Sequence, residues 1–396
     1  MSYSRRIRMM LATLAAFTGL VMLFNFLVNP FRAWRHKLVG GIYYRVHVGR
    51  ERVITPYALR TLRPTTVLLG SSRVLMGINI EQGLKDGYLN AGLSAASLPE
   101  ISKEVDLALK NPHLRRIIWG VDFFAFEERW KPDPTTYARL KGSLGLRITD
   151  TLLSANTLDG TLHLLGRAYD GRRKLSPNAL QPIPWTTEFI CTRFAADNLQ
   201  GLASLDPERA TVHVRWAIPM YWNYRFGSDA MPIFRSIVDK IRRADVELIV
   251  FLPPMSQYEL ESLRQNGQWQ HFQEFKRELA HTISYVDFSG YNELARTDRM
   301  FRDLMHMQPE VGHTILRRLL GDPAVDCSGS GQIISDSELQ VNSENVDQML
   351  ALQDQREQTA IAEPNKYYRA VVRALIQGHD DWTQMGWLHT HDEASN

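Results

Sequence analysis

The stretch TVLLGSSR, residues 66–73, decides the fold class of this 396-residue chain. Its first half, Thr66 to Leu69, is a short apolar run, and Gly70 and Ser71 follow at once. A short apolar run that ends in small, turn-forming residues is typical of a buried β-strand leading into a turn. We therefore expect an internal strand here, with a serine-rich turn at its carboxyl end.

Further apolar runs alternate with segments of helical spacing. The runs predict strands at 88–91, 116–121, 247–252 and 285–288. The helical spacing predicts helices at 99–110, 231–243, 269–282 and 310–320. Strands that alternate with helices of ten or more residues are typical of a parallel sheet with helices on both faces. The sequence therefore predicts an α/β domain over residues 63–321.

Two long segments depart from this alternation. Residues 130–210 are rich in Leu, Arg, Thr and Asp, and we expect them to form a helical insertion. Residues 336–363 contain seven acidic side chains and one basic side chain, with few aromatics. Such a composition favours mobile or loosely helical chain. We therefore expect residues 322–396 to be an acidic, partly disordered C-terminal tail.

The amino-terminal segment predicts contact with a membrane. Met9 to Val28 are twenty residues without a charge, which match the hydrocarbon thickness of a bilayer at helical rise. We interpret residues 1–28 as an uncleaved membrane anchor that spans the bilayer through residues 9–28, followed by a basic juxtamembrane linker over 29–62. A cleaved signal peptide is the alternative, although no typical cleavage pattern follows the run.

The charge distribution excludes some partners. Residues 1–60 carry ten Lys and Arg against one acid, Glu51, whereas the remainder of the chain is net acidic. Basic residues that flank an apolar segment point to lipid headgroups rather than to a nucleic acid, so no nucleic-acid partner is expected. The flanking charges are nearly balanced, and by themselves they leave the orientation in the membrane open.

Candidate catalytic residues stand at the predicted strand ends, where functional groups of parallel α/β sheets collect. The first strand ends at Ser72, the second is followed by Gly92, and the third ends at Asp122. Asp303 and His306 follow the last strand. A serine, a histidine and a carboxylate are the residue types that nucleophilic acyl transfer needs.

This order and spacing resembles the SGNH (GDSL-like) hydrolase superfamily, over roughly residues 65–125 and 245–320. The resemblance is strongest to its membrane-anchored cell-envelope branch, which includes alginate O-acetylation proteins and the D-alanine transfer protein. It implies an SGNH-like, flavodoxin-like fold with Ser72 as nucleophile, where the family has Gly-Asp-Ser. It also implies His306 as base, Asp303 as its partner, and Gly92 as the oxyanion glycine.

One position departs from the family pattern. The resemblance implies an oxyanion hole formed by the backbone N–H groups of Ser72 and Gly92 together with the side chain at position 122. The family usually has an asparagine there, whereas this chain has Asp122. An ionised carboxylate accepts hydrogen bonds and repels an oxyanion. Asp122 can therefore act as a donor only if protonated, or it has a structural or substrate-orienting role; Arg73 is an alternative source of positive charge.

The resemblance implies a membrane-anchored serine acyltransferase or esterase that acts on a cell-envelope polysaccharide, without a cofactor or a metal. The implied partners are the polysaccharide and a multi-spanning membrane protein that donates the acyl group. The implied location is the bacterial inner membrane, with a single-pass anchor and the main domain facing the periplasm. The alternative is a catalytically inactive, SGNH-like glycan-binding or assembly component, which the substitution at Asp122 favours.

Overall fold

The fold was analysed in a computed structural model. The structure describes residues 3–31, 33, 34, 36, 51–78, 87–162, 165, 220–321, 330–363, 372 and 373. Within these ranges the chain forms an α/β domain with an apolar helix at its amino-terminal end, as the sequence predicts.

Six strands in the described part of the chain form one sheet, in the order β2-β1-β3-β4-β5-β6. The strands are β1 (Thr66–Leu69), β2 (Tyr88–Asn90), β3 (Arg116–Gly120), β4 (Glu247–Leu252), β5 (Tyr285–Asp287) and β6 (Leu339–Val341). The first five pair in parallel, and β6 pairs antiparallel with β5. The prediction of an all-parallel sheet is therefore wrong at one edge, where a sixth strand follows the predicted last helix.

The helices of the described residues are α1 (Tyr3–Val28), α2 (Glu51–Thr61), α3 (Ser72–Gly77), α4 (Leu98–Ala108), α5 (Pro134–Lys141), α6 (Leu144–Ile148), α7 (Ala230–Arg243), α8 (Gln257–Gln265), α9 (Trp269–Thr282), α10 (Glu293–Arg296), α11 (Pro309–Leu319), α12 (Ser330–Ser337) and α13 (Val346–Ala362). Apolar cores lie on both faces of the sheet, whereas α1 packs against residues 149–153 and is otherwise largely exposed. Successive strand residues pack on opposite faces: Val67 and Trp119 lie in one core, whereas Leu68 and Ile118 lie in the other. Because both faces are buried, the strands are continuous apolar runs rather than alternating ones.

The prediction of a linker over residues 29–62 is wrong for residues 51–61, which form a helix. Helix α2 lies within residues 29–62, and its Ile54, Tyr57 and Leu59 are buried. Arg52 also forms an ion pair with the buried Glu100 of α4. The basic composition obscured this helix because its charged side chains bind partners on α4 and α5 instead of facing lipid.

The predicted boundary at residue 321 is also wrong, because β6 and α13 belong to the folded domain. Gln353 of α13 is buried, and its side-chain amide donates to Asp287 of β5 at 2.7 Å. The buried Lys276 of α9 forms an ion pair with the same Asp287 at 2.9 Å. Val346 and Leu350 pack into the core, and Asp354, one of the acidic side chains that suggested disorder, accepts the Trp269 indole N–H at 2.9 Å. The tail beyond residue 363, apart from 372 and 373, lies outside the described residues.

The described part of the predicted insertion is helical. It contains α5, α6, a π-helical turn at Thr149–Leu153, and helical residues 155–162. Residues 166–210 lie outside the described ranges, so the remainder of that prediction stays a prediction.

Helix α1 is long and apolar enough to cross a membrane, and it lies near the amino terminus. Most of its side chains are exposed, and burial begins only near its carboxyl end. This is the behaviour of an anchor or signal helix and not that of a core helix, which would be mostly buried.

Candidate active site

The turn after β1 brings Ser72 to the first position of α3. Gly70 has φ +147°, and a Cβ at this residue would lie 2.5 Å from Val74 Cγ2 and 2.8 Å from the carbonyl oxygen of Gly120. Ser71 caps the helix by accepting a hydrogen bond from the Arg73 N–H at 3.2 Å. The glycine thus permits a close approach of β1, β3 and α3, and the cap fixes the residue that follows it.

The second part of the site is the loop between β5 and α11. Phe301 and Met307 form an antiparallel bridge, and the Arg302 N–H donates to the His306 carbonyl at 2.8 Å. Inside this loop Asp303 Oδ1 accepts the backbone N–H groups of Met305 at 2.9 Å and His306 at 3.0 Å. The carboxylate is therefore held in place by the backbone of the histidine that it faces.

The structure brings Ser72, His306 and Asp303 together. The distance from His306 Nε2 to Ser72 Oγ is 2.8 Å. The distances from His306 Nδ1 to Asp303 Oδ1 and Oδ2 are 2.7 and 2.9 Å. These are the contacts of a nucleophile with its base and of that base with its orienting carboxylate. The three side chains are only partly buried, so a substrate can reach them.

The protonation pattern of this constellation follows from its contacts. Burial alone would raise the pKa of Asp303, but the hydrogen bond and charge of His306, together with two backbone N–H donors, hold that pKa below its ordinary value. An ionised carboxylate only accepts, so Nδ1 of His306 carries the proton. Nε2 is then free to accept the Ser72 hydroxyl proton.

The site lies at the carboxyl edge of the sheet. Ser72 follows β1, Asp122 follows β3, and these strands are neighbours although β2 comes between them in sequence. Ligands of open α/β sheets bind outside the carboxyl ends of the strands, where the strand order reverses. The candidate residues occupy this crevice.

A residue that the sequence analysis missed, Ser256, supports the loop that carries Asp303 and His306. Its hydroxyl donates to the carbonyl oxygen of Leu304 at 2.5 Å, between Asp303 and His306. Ser256 Oγ also caps α8 by accepting the Glu259 N–H at 3.3 Å. The spacing Ser256-x-x-Glu259 after a strand is a helix-start pattern and was the available signal.

The predicted backbone donors for an oxyanion are the N–H groups of Ser72 and Gly92, and the Gly92 N–H has a hydrogen-bond partner within the protein. The Gly92 N–H donates to Asn90 Oδ1 at 3.0 Å. The side-chain amide of Asn90 in turn donates to the carbonyl oxygens of Val74 at 3.0 Å and Ile78 at 2.6 Å. Asn90, which sequence reasoning also missed, therefore joins β2 to α3 and occupies the Gly92 donor. The Ser72 N–H, in the first turn of α3, is the remaining predicted backbone donor.

Asp122 lies in a buried ionic cluster. Its Oδ1 lies 3.2 Å from Nε of Arg73 in a contact that lacks hydrogen-bond alignment, and both side chains are almost wholly buried. Burial raises the pKa of Asp122, although Arg73, hydrogen bonds from Ser71, and the charge of His306 oppose this rise. Arg73 is thus buried next to Ser72 and bound by carboxyl groups, and its role as an alternative source of positive charge stays a prediction.

The cluster extends to α8. The Arg73 guanidinium forms an ion pair with Glu259, and the Tyr221 hydroxyl donates to Glu259 Oε1 at 2.7 Å. Burial raises the pKa of Glu259, opposed by Arg73 and Tyr221. Arg73 therefore carries one positive charge between two buried carboxyl groups. We name Arg73, Asp122, Glu259 and Tyr221 the arginine cluster.

Ser71→Ala should separate the helix cap from the chemistry. We expect a loss of about 1 kcal/mol of stability, because the capping hydroxyl of α3 is removed. Covalent labelling by a fluorophosphonate should persist, because the Ser72 hydroxyl is untouched. Thermal unfolding and labelling of the same preparation measure the two effects. Labelling lost in Ser71→Ala but retained in Ser72→Ala would show that Ser71 is the nucleophile.

A comparison with known families found no family model that matches this chain, and a comparison with curated proteins likewise found no match. The family and the activity are therefore proposals, and they rest on the residues and geometry described above.

Proposed function

We propose that this protein is a membrane-anchored serine acyltransferase or esterase of the SGNH type that acts on a cell-envelope polysaccharide. The observation that carries the chemistry is the pair of contacts at His306, 2.8 Å to the Ser72 hydroxyl and 2.7 Å to the Asp303 carboxylate. A serine hydroxyl bound to an imidazole, which is bound in turn to a carboxylate, is the arrangement of a serine acyl-transfer site.

The reaction has two half-reactions. In the first, Ser72 Oγ attacks the carbonyl carbon of an acyl ester while His306 Nε2 takes the hydroxyl proton. The leaving alcohol departs with that proton, and Ser72 holds the acyl group as an ester. In the second, a sugar hydroxyl or water gives its proton to His306 and attacks the acyl-serine, after which the Ser72 oxygen regains the proton. Asp303 stabilises the imidazolium in both half-reactions.

The strand order supports the SGNH assignment. The order β2-β1-β3-β4-β5 is that of flavodoxin-like sheets, and Ser72 lies beside the β1–β3 switch point of that order. The Asp303-x-x-His306 loop comes before the last helix that packs against α3. Both features agree with the resemblance read from the sequence.

The substrate and partners of the proposed function follow from the resemblance. We infer a polysaccharide acceptor and a multi-spanning membrane protein that supplies the acyl group. An envelope substrate agrees with an apolar amino-terminal helix, which would hold the enzyme at the membrane. We place the protein in the bacterial inner membrane, with a single-pass anchor and its α/β domain in the periplasm.

The periplasmic orientation predicts the behaviour of a reporter fusion. Alkaline phosphatase fused after residue 396 should be active, because that enzyme needs the disulfides that form outside the cytoplasm. A cytoplasmic fluorescent reporter fused at the same place should be inactive or dark. Phosphatase activity in the membrane fraction measures this, and the reverse pattern would contradict the orientation.

The activity is tested directly on the full-length protein in detergent. A fluorophosphonate should label Ser72, as shown by mass spectrometry of the active-site peptide, and a chromogenic acetyl ester should be hydrolysed. Adding oligosaccharide acceptors then separates the two reaction classes. Acetylated oligosaccharide identifies a transferase, whereas free acetate alone identifies an esterase. Absence of both labelling and turnover would contradict the proposal.

A non-catalytic glycan-binding or assembly component is the second candidate. The observation that favours it is the state of the predicted oxyanion groups, since Gly92 donates to Asn90 and Asp122 is a carboxyl group beside Arg73. Removal of one oxyanion donor costs about 2.7–4 kcal/mol of transition-state stabilisation in other serine enzymes. This candidate predicts oligosaccharide binding, measured by calorimetry, without fluorophosphonate labelling.

Asp122→Asn tests the role of the departure from the family. If Asp122 is a protonated donor, the amide replaces it and turnover of the acetyl ester should be kept or raised. If Asp122 is the counter-ion of Arg73, stability should fall by about 1–3 kcal/mol, because a buried partner is lost. We expect the second result, since Asp122 lies 3.2 Å from Arg73. Lower activity with an unchanged melting temperature would instead assign Asp122 to substrate contact.

A further inference from the structure

One polar residue of the apolar helix α1, Asn25, is fully buried. The side-chain amide of Asn25 donates to the carbonyl oxygen of Leu152 at 2.9 Å, and its Oδ1 accepts the Thr161 hydroxyl at 2.9 Å. Both partners lie in the part of the insertion that follows α6. The carboxyl end of α1 is therefore bound to the insertion by specific hydrogen bonds, in addition to the covalent chain.

The position of Asn25 in the helix sets the depth of these contacts. It lies three residues before Val28, the last residue of α1 and of the predicted spanning segment, which places it about 4.5 Å inside that segment at helical rise. An asparagine in hydrocarbon is costly unless its donor and acceptor are satisfied within the protein. Leu152 and Thr161 satisfy them, so this part of the insertion lies at the same depth as Asn25.

The neighbours of these two partners are exposed leucines. Leu153, next to Leu152, is 43% exposed, and Leu162, next to Thr161, is 56% exposed. Because Leu152 and Thr161 both bind the side chain of Asn25, these two leucines lie beside α1. We name Leu153 and Leu162 the leucine patch. Exposed apolar side chains beside an apolar helix are candidates for an interaction surface.

Residues that follow the carboxyl end of α1, or contact those that do, are of the types found at a membrane interface. The Trp34 indole N–H donates to the Thr151 hydroxyl at 3.2 Å, and the Arg147 guanidinium lies 4.0 Å from the centre of the Trp34 ring. Arg147 also binds the carbonyl oxygen of Ala33. Tryptophan and arginine at the end of an apolar helix are typical of the membrane interface.

We propose that residues 149–162 of the insertion penetrate the lipid bilayer beside α1, so that the leucine patch contacts acyl chains at the domain-side edge of the hydrocarbon. The inference rests on the membrane anchor of the proposed function. Lipid is the occupant that the structure favours, because each leucine adjoins a residue bound to Asn25 of the apolar helix, and Trp34 and Arg147 contact the same segment.

The insertion is also bound to the α/β domain. Asp150, in the π-helical turn, accepts the Tyr57 hydroxyl of α2 at 2.8 Å, and an ion pair at 2.7 Å with Arg139 of α5, within the insertion, holds its carboxylate in place. One short segment therefore contacts the anchor on one side and the catalytic domain on the other. The domain is held at the bilayer surface by this segment, and its orientation toward lipid is restricted.

Depth-dependent quenching tests the proposal on the full-length chain in proteoliposomes. Cys191 and Cys327 are replaced by serine, and single cysteines labelled with the fluorophore NBD are placed at Leu153 and Leu162. Ile361→Cys is the matched control, since Ile361 is 40% exposed on α13. Phe17→Cys, in the middle of α1, is the control for the anchor. Vesicles of phosphatidylethanolamine and phosphatidylglycerol carry phosphatidylcholine with a nitroxide near the headgroup or deep in the acyl chain.

Labels at Leu153 and Leu162 should lose most of their fluorescence to the shallow nitroxide, and the label at Phe17 should be quenched more by the deep one. The label at Ile361 should not be quenched. Water-like, unquenched labels at Leu153 and Leu162 with a quenched Phe17 would overturn the proposal but keep the anchor. An unquenched Phe17 would overturn the anchor as well. Blue-shifted emission without lipid quenching would mean that protein, and not lipid, covers the patch.

Discussion

Ser72→Ala should abolish covalent labelling and lower turnover of an acetyl ester to background, while the melting temperature stays close to that of the wild type. The expected loss is about 10⁶-fold, the value found when the nucleophile of a serine protease is removed. The fold should persist because Ser71, and not Ser72, caps α3. Rates are measured with the full-length protein, and circular dichroism reports the fold.

Two further variants test whether the three residues act as one unit. His306→Ala should cost nearly as much as Ser72→Ala, and the double variant should be no worse than either, because each single change already stops the proton transfer. Asp303→Asn should cost less, below about 10⁴-fold, since the imidazole remains but loses the acceptor that holds its Nδ1 proton. Losses that add in the double variant, or labelling that survives in Ser72→Ala, would place the nucleophile elsewhere.

The sequence predicted which candidate site residues meet better than it predicted their surroundings. Ser72 and His306 are 234 residues apart and lie 2.8 Å from each other. Ser72 follows β1 directly and His306 lies in the loop between β5 and α11, and parallel strands bring their carboxyl ends to one edge. The sequence analysis did not predict that the Gly92 N–H already has a hydrogen-bond acceptor. That acceptor is the side chain of Asn90, two residues earlier. Asparagine side chains commonly bind the backbone two residues on, so this local competition could have been anticipated.

The fold was predictable where burial is complete and not where it is one-sided. Strands β1 and β3 are buried on both faces and read as apolar runs. Helix α13 buries only a narrow stripe, including Val346 and Leu350, so its many polar and acidic side chains dominated the composition and suggested a disordered tail. Strand β6 is three residues long and its central Gln340 is exposed, which leaves almost no pattern to detect.

The arginine cluster shows most clearly what a sequence alone does not reveal. Arg73 follows the candidate nucleophile directly, and a residue in that position can equally well face solvent. The structure instead buries it against Glu259 and Asp122, which come from distant segments of the chain. Its partners depend on how α3, β3 and α8 meet, and no local pattern encodes that meeting.

Arg73→Met should therefore be strongly destabilising. Removing the guanidinium leaves two buried carboxyl groups without their counter-ion, and breaking a buried ion pair in this way costs about 3–5 kcal/mol. Arg235→Met is the matched control, because Arg235 forms a 2.6 Å ion pair with Glu278 in which both side chains are about half exposed. Loss of such a surface pair costs about 1 kcal/mol or less. Denaturant unfolding of both variants gives the two values.

The pH dependence identifies the cause of the Arg73→Met loss. Burial already raises the pKa of Asp122 and Glu259, and without Arg73 both should rise further above their unfolded values. A carboxyl group with a raised folded pKa loses stability as pH increases, so the deficit should be largest at neutral pH and above. It should shrink as the pH falls toward about 4, the ordinary carboxyl pKa, where both groups are protonated. Adding Glu259→Gln should recover part of the loss at neutral pH, because one buried charge is removed. A deficit that is independent of pH and unchanged by Glu259→Gln would mean that Arg73 acts through packing, including its position 5.8 Å from the Phe124 ring, and not through charge.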